Sequence, residues 1–178
     1  MSNTIVTTTQ GRRRPPSSLK ALFSFPDPVN EVSARLVAGG VVILAAVTLI
    51  SQQHWLVYVI AAGFIARVLT GPSLSPLGQL VTRVITPRLP VAPKPVPGPP
   101  KRFAQLIGAS FTGSASILTG LGYWTAAEVL VGMIIVAATL ESVFAYCLGC
   151  KAFGLLMRAG VIPEEVCARC NDINLGAA

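Results

Sequence analysis

The chain has 178 residues, with 52% hydrophobic and only 12% charged side chains, a mean hydropathy of +0.66 and a formal net charge of +7. Soluble domains carry about 25% charged residues, so this chain could not cover a soluble surface; disorder, a collagen-like repeat and a small disulfide scaffold are excluded as well. What remains is an all-α polytopic membrane protein. The basic excess does not point to nucleic acid, because no stacking aromatics are interleaved with the Lys and Arg residues.

Residues 1–26 form a basic tail. Arg12-Arg13-Arg14 and Pro15-Pro16 read as a topology determinant that can also touch anionic lipid. Leu19–Phe25 can dip into the interface as a short anchor. The tail is not a signal peptide, since no apolar core with a small-residue cleavage site follows the basic cluster directly.

Residues 27–86 read as a first hairpin plus an amphipathic helix. Asp27-Pro28 has the form of a helix cap followed by Pro at the first helical position. From Leu36 to Ala66 no Lys, Arg, Asp or Glu occurs in 31 residues. A span needs about 20 apolar residues to cross about 30 Å of hydrocarbon, so the run holds two short spans if it turns. Ser51-Gln52-Gln53-His54 supplies the turn, placing spans at Ala34–Ser51 and Trp55–Thr70. Ser75-Pro76 repeats the start signal. Leu77, Leu80, Val81, Val84 and Ile85 follow at helical spacing, as an amphipathic helix on the inner membrane surface.

Residues 87–101 read as a linker, with seven prolines in the 14 residues Pro87–Pro100. In polyproline conformation it reaches roughly 40 Å, enough to connect two hairpins across one face. Residues 102–146 read as the second hairpin, with spans at Phe103–Leu121 and Trp124–Tyr146. Phe103–Ala127 carries no charge in 25 residues. Small residues from Gly108 to Ser116 suit close helix packing better than a polar pathway. The fold class is therefore four transmembrane helices in two hairpins, with inner-surface amphipathic helices.

All 14 Lys and Arg residues lie in the N-terminal region, in Arg67–Arg102 or after Cys150, and neither hairpin tip carries one. Basic loops stay inside, which places both termini and the central loop in the cytoplasm. The two halves share a weak parallel repeat: span, uncharged tip ending in Trp55 or Trp124, span, amphipathic segment. Parallel repeats occur in transporters, and small-solute transport is carried as one reading.

Glu128 and Glu141 are the acids within the spans, where carboxylates are expensive. Glu128 is close enough to the outer interface to reach water. Glu141 is expected to pair with Arg67 across the bundle, either structurally or as a relay. His54 is the chain's single histidine, which removes Ser-His and Cys-His catalysis and makes a metal site on the tip improbable on chemical grounds.

All four cysteines lie in residues 147–178, as Cys147-Leu148-Gly149-Cys150 and Cys167-Ala168-Arg169-Cys170, with 16 residues between the pairs. This spacing matches a four-thiolate site for Zn, and iron could use the same ligands. The rival reading is redox. Cysteines in a reducing cytosol are not structural disulfides, and basic Lys151 and Arg169 favour thiolates that exchange with partner dithiols. The functions that follow are a thiol-redox or sulfur-linked membrane component, or a metal-clamped interaction subunit of a larger membrane complex.

The segments Asp27-Pro28-Val29-Asn30-Glu31, Gly71-Pro72 with Ser75-Pro76, Gly98 to Gln105, and Leu140-Glu141 leading into Cys147-Leu148-Gly149-Cys150 resemble the bacterial membrane family called domain of unknown function 4395. The resemblance covers roughly residues 24–172. It implies a bacterial plasma-membrane protein and, by association, thioredoxin-like or rhodanese-like partners, which leans toward sulfur and thiol chemistry. It implies no particular activity.

Overall fold

The computed structural model describes residues 25–163 and residue 166. The basic tail and the second cysteine pair, Cys167 and Cys170, lie outside the described residues. The described chain is mostly helical. Its four long helices are α1 (Glu31–Ser51), α2 (Trp55–Thr70), α4 (Gly98–Gly120) and α5 (Trp124–Phe144). Between the pairs lie the single turn α3 (Pro76–Gln79), continuing as a π-helical turn over Leu80–Ile85, and a 3₁₀ turn over Thr86–Arg88; α6 (Leu148–Arg158) follows α5. These boundaries agree with the expected ones to within a few residues. Helices α1 and α5 are each long and apolar enough to cross a membrane, and α2 is a shorter apolar helix of 16 residues.

The start of α1 differs from the reading of Asp27-Pro28 as its cap. Val29–Asn30 (β1) instead pairs antiparallel with Pro95–Val96 (β2), and Asn30 caps α1 by accepting from the Val32 N–H at 3.1 Å. Asp27 works at another helix: its Oδ1 accepts the Gly98 N–H at 3.1 Å, at the first residue of α4. The proline-rich linker thus ends earlier than expected. Pro99 and Pro100 fall in the first turn of α4, where a missing N–H leaves no bond unmade. Ser75-Pro76 behaves as read, with Ser75 Oγ accepting from the Gly78 N–H at 3.3 Å and Pro76 in the first turn. Of the apolar residues behind it, only Val81 is fully buried.

The four long helices close into a ring in which α2 packs on α4, α4 on α5, and α5 on α1, while α1 and α2 meet more sparsely. The closest packing therefore runs between the two hairpins rather than within the first. Small residues allow it. A Cβ on Gly108 of α4 would collide with the Phe64 ring of α2, and one on Gly149 would stand 2.5 Å from Ala104. The core joins Val41 and Ala45 to Val57, Ile60, Ala115 and Val131. Large aliphatic residues remain exposed around the ring, among them Ile43, Ile50, Ile117, Val129 and Val136.

The tips of the two hairpins are clasped to each other. Gln52 Nε2 donates to Glu128 Oε1 at 2.8 Å, Trp124 Nε1 donates to Gln52 Oε1 at 2.7 Å, and His54 stacks on Trp124 at 3.9 Å between ring centroids. Glu128 and His54 are thus structural members of one clasp. At the other end Arg35 donates to the carbonyls of Ser142 (3.0 and 3.2 Å) and Val143 (3.2 Å), satisfying α5 where its last carbonyls lack helical partners.

The α2–α4 contact gives the first prediction. Gly108→Val should destabilise the protein by about 1–3 kcal/mol through overpacking against Phe64. Gly113→Ala, at a position with no neighbour within 4 Å, should be neutral or slightly stabilising. Thermal unfolding of the detergent-solubilised protein checks both.

Candidate functional site: a dithiol beside a buried ion pair

Helix α5 ends at Phe144, and Ala145 adopts a left-handed conformation (φ 55°), which turns the chain sharply before α6 begins. Cys147 is the N-cap of α6, and its Sγ accepts the Cys150 N–H at 3.4 Å. Cysteine takes the place usually held by Ser, Thr, Asp or Asn, so the sulfur faces the positive end of the helix dipole. The Cys150 thiol donates to Cys147 Sγ at 2.7 Å. Cys147 is buried and Cys150 half-buried, and both are free thiols.

The hydrogen bond makes the two sulfurs unequal. It holds the Cys147 thiol below the ordinary cysteine range, because the Cys150 proton stabilises the thiolate it points at, and the Lys101 charge pulls the same way. Donating that proton, together with burial, pushes Cys150 up. The arrangement favours the thiolate at Cys147 and the protonated thiol at Cys150.

Lys101 belongs to the first turn of α4, and its Nζ lies 2.7 Å from Glu141 Oε1 on α5. Both side chains are largely buried, at 10% and 15% exposure. The pair ties α4 to α5 one turn before the dithiol. Gly149, whose missing side chain lets α6 lie directly on Ala104, brings the thiols to the same place. Phe153 of α6 closes the contact with its ring edge against Phe103, at 5.6 Å between centroids.

The expected partner of Glu141 was Arg67; in the structure Glu141 bonds directly to Lys101, and its charge reaches Arg67 without a hydrogen bond. Arg67 is buried at the same end of the bundle. Its Nε donates to Gln105 Oε1 at 2.9 Å and its Nη1 to Ser75 Oγ at 3.2 Å, with its guanidinium 4.5 Å from the centre of the Phe64 ring. Lys101 takes the carboxylate because it projects from the helix adjoining α5, whereas Arg67 belongs to α2, across the ring from α5. Sequence reading placed Lys101 only at the edge of the linker. The signal that could have found it is depth: Lys101 is the fourth residue of α4, and Glu141 lies three residues before the end of α5.

Of the four cysteines expected to act together, the structure describes Cys147 and Cys150, and they are adjacent. Cys167 and Cys170 are outside the described residues, and among the described residues no group of three or more His, Cys, Asp or Glu converges as a metal site. Two thiols alone do not complete a tetrahedral Zn site. They do suffice for thiol–disulfide exchange.

The buried pair yields a stability prediction. Lys101→Met or Glu141→Gln alone should cost about 3–5 kcal/mol, since each leaves an uncompensated buried partner or its unmet hydrogen bonds. The double replacement Lys101→Met with Glu141→Leu should recover most of the loss. Thermal unfolding of the single and double variants checks the cycle.

No curated protein and no solved structure matches the chain. The model of the family described as domain of unknown function 4395 matches residues 29–158, from the first strand to the last residue of α6, and the chain belongs to that family.

Proposed function

We propose that the protein is a four-span membrane component that exchanges dithiol and disulfide at Cys147 and Cys150, on the cytoplasmic face of a bacterial plasma membrane. Helices α1, α2, α4 and α5 are the spans and both termini lie inside. Two helices of spanning length, the apolar exposed ring and the confinement of the described Lys and Arg residues to one end of the bundle support this topology. The observation that carries the chemistry is the asymmetric dithiol: Cys147 Sγ at a helix N-terminus, 2.7 Å from the Cys150 thiol that hydrogen-bonds to it.

The reaction is ordinary exchange with a disulfide-bearing partner of the thioredoxin-like kind. The Cys147 thiolate attacks one sulfur of the partner disulfide, and the other partner sulfur leaves as a thiolate. Cys150 then loses its proton to solvent and attacks Cys147 Sγ in the mixed disulfide, releasing the second partner thiolate. Two electrons pass to the partner, and Cys147–Cys150 becomes the disulfide. The reverse sequence reduces it. The Cys150 hydrogen bond, aided by the Lys101 charge and opposed by burial and Glu141, favours the anionic sulfur at Cys147, and the bilayer keeps the dithiol at a fixed surface.

A second reading rests on the spacing of the cysteines. Cys147, Cys150, Cys167 and Cys170 have the pattern of a four-thiolate Zn or iron site, which would clamp the tail into a docking surface for a larger membrane complex. A small-solute transporter is the third, and the weakly repeated halves are its support.

One set of measurements separates these readings. In the reduced protein the rate of Cys147 alkylation by iodoacetamide should rise with pH around a midpoint below the value of about 8.5 for a free thiol. Lys101→Met should move that midpoint upward. With an oxidised thioredoxin-like protein, Cys150→Ser should accumulate a mixed disulfide through Cys147, and Cys147→Ser should form none. About one Zn or Fe per purified chain, with four thiols closed to alkylation, would replace the exchange reading with the metal clamp. Solute uptake by vesicles containing the Cys147→Ser, Cys150→Ser protein, at the wild-type rate, would replace it with transport.

A further inference from the structure

The loose seam between α1 and α2 is an open groove of about 190 Å³. Val41 and Leu44 of α1 and Val59 and Ile60 of α2 form its walls, and Arg67 and Ser75 line its inner part. Apolar walls with one cationic, hydroxyl-bearing end are the complement of an amphiphile. Leu77 occupies the seam beyond, against Gly40, where a Cβ would meet its Cδ1 at 2.7 Å.

Arg67 is 6% exposed, and its direct partners are all neutral: Gln105 Oε1, Ser75 Oγ and the Phe64 ring. Glu141, whose field reaches it, spends its hydrogen-bonded oxygen on Lys101. Among the described residues no carboxylate forms an ion pair with Arg67. A guanidinium carries five N–H donors. The donors beyond the two bonded ones find no acceptor in the described protein, and Arg67 fronts the groove. A buried cation without a contacting anion is costly in a medium of low polarity, and an anionic ligand removes that cost. Gly63 opens the approach, since a Cβ there would stand 3.4 Å from Arg67 Nη1.

We propose that the α1–α2 groove binds an anionic amphiphile, with its acidic group on Arg67 and its alkyl chain along Leu44 and Val59. The acidic group is a lipid phosphate or a fatty-acid carboxylate, either of which a guanidinium recognises through paired N–H donors. The site shares no residue with the dithiol, so it stands or falls independently of thiol exchange.

The test uses the full-length protein, delipidated in a non-ionic detergent. Phosphatidylglycerol, oleate and phosphatidylcholine are added in turn, and native mass spectrometry and thermal unfolding are read together. The expected result is one bound anionic amphiphile per chain and a raised Tm, with phosphatidylcholine at background. Phosphatidylglycerol alone would identify a membrane phospholipid as the source, and oleate alone a free fatty acid. Arg67→Gln should weaken binding at least about tenfold, the loss expected for charge-assisted hydrogen bonds. Gly63→Leu should do the same while leaving the cation in place, and it carries the test if Arg67→Gln fails to fold. Equal binding of phosphatidylcholine, binding of none of the three, or unchanged binding by a folded Gly63→Leu protein would overturn the proposal.

Discussion

The ion pair between Lys101 and Glu141 is the joint that sets the packing of α4, α5 and α6. It links the first turn of α4 to the inner part of α5, with the ammonium 2.7 Å from the carboxylate and both side chains largely removed from solvent. Two helices joined there cannot slide along each other without separating buried charges, which is far more costly than losing an exposed pair. The register of α4 against α5 then decides where the chain leaves α5, and hence where Cys147 meets the start of α6. The same ammonium favours the Cys147 thiolate, so one side chain serves both the helix packing and the chemistry.

Close backbone approach does the rest. Gly108 beneath Phe64 brings α2 onto α4, and Gly149 beneath Ala104 brings α6 onto the same helix. In the bilayer proposed for this chain, burial of apolar surface cannot distinguish one helix pairing from another, because lipid tails are as apolar as Leu or Val. Shape at small residues and the few polar contacts carry that discrimination. The clasp of Gln52, Trp124 and Glu128 at one end, and Arg35 on the α5 carbonyls at the other, are the remaining instances.

The dithiol shows how a local motif acquires direction from its setting. A C-x-x-C segment places two sulfurs within reach of each other in any helix start, but does not say which is the nucleophile. In the proposed exchange the N-cap geometry favours Cys147, which accepts from the Cys150 backbone and from the Cys150 thiol, while Cys150 is only a donor to its partner. Anion stabilisation at a helix N-terminus and a neighbouring cation act on the same sulfur. Arg67 presents the contrasting case of a buried cation whose contacts among the described residues are all neutral, and its groove follows from the sparse α1–α2 seam.

Four long helices, the turns at Ser51–His54 and Leu121–Tyr123, the Ser75-Pro76 start and the C-x-x-C pair were legible in the residues themselves. Each depends on local properties: length of apolar run, capping side chains and proline geometry. The family too was legible in short motifs, and its match spans most of the chain. The partner of Glu141 was not. Arg67 and Lys101 both lie near the inner end, and only the ring order α1–α2–α4–α5 sets Lys101 beside α5 and Arg67 away from it. Nor was the role of Asp27 legible, because a cap signal states that a helix start is near but not which one, and Asp27 serves Gly98 across 71 positions of sequence. Sequence determines the elements, since hydrophobic length and capping act within a few residues. Tertiary structure alone decides which buried charges meet, since that depends on contacts between helices far apart in the chain.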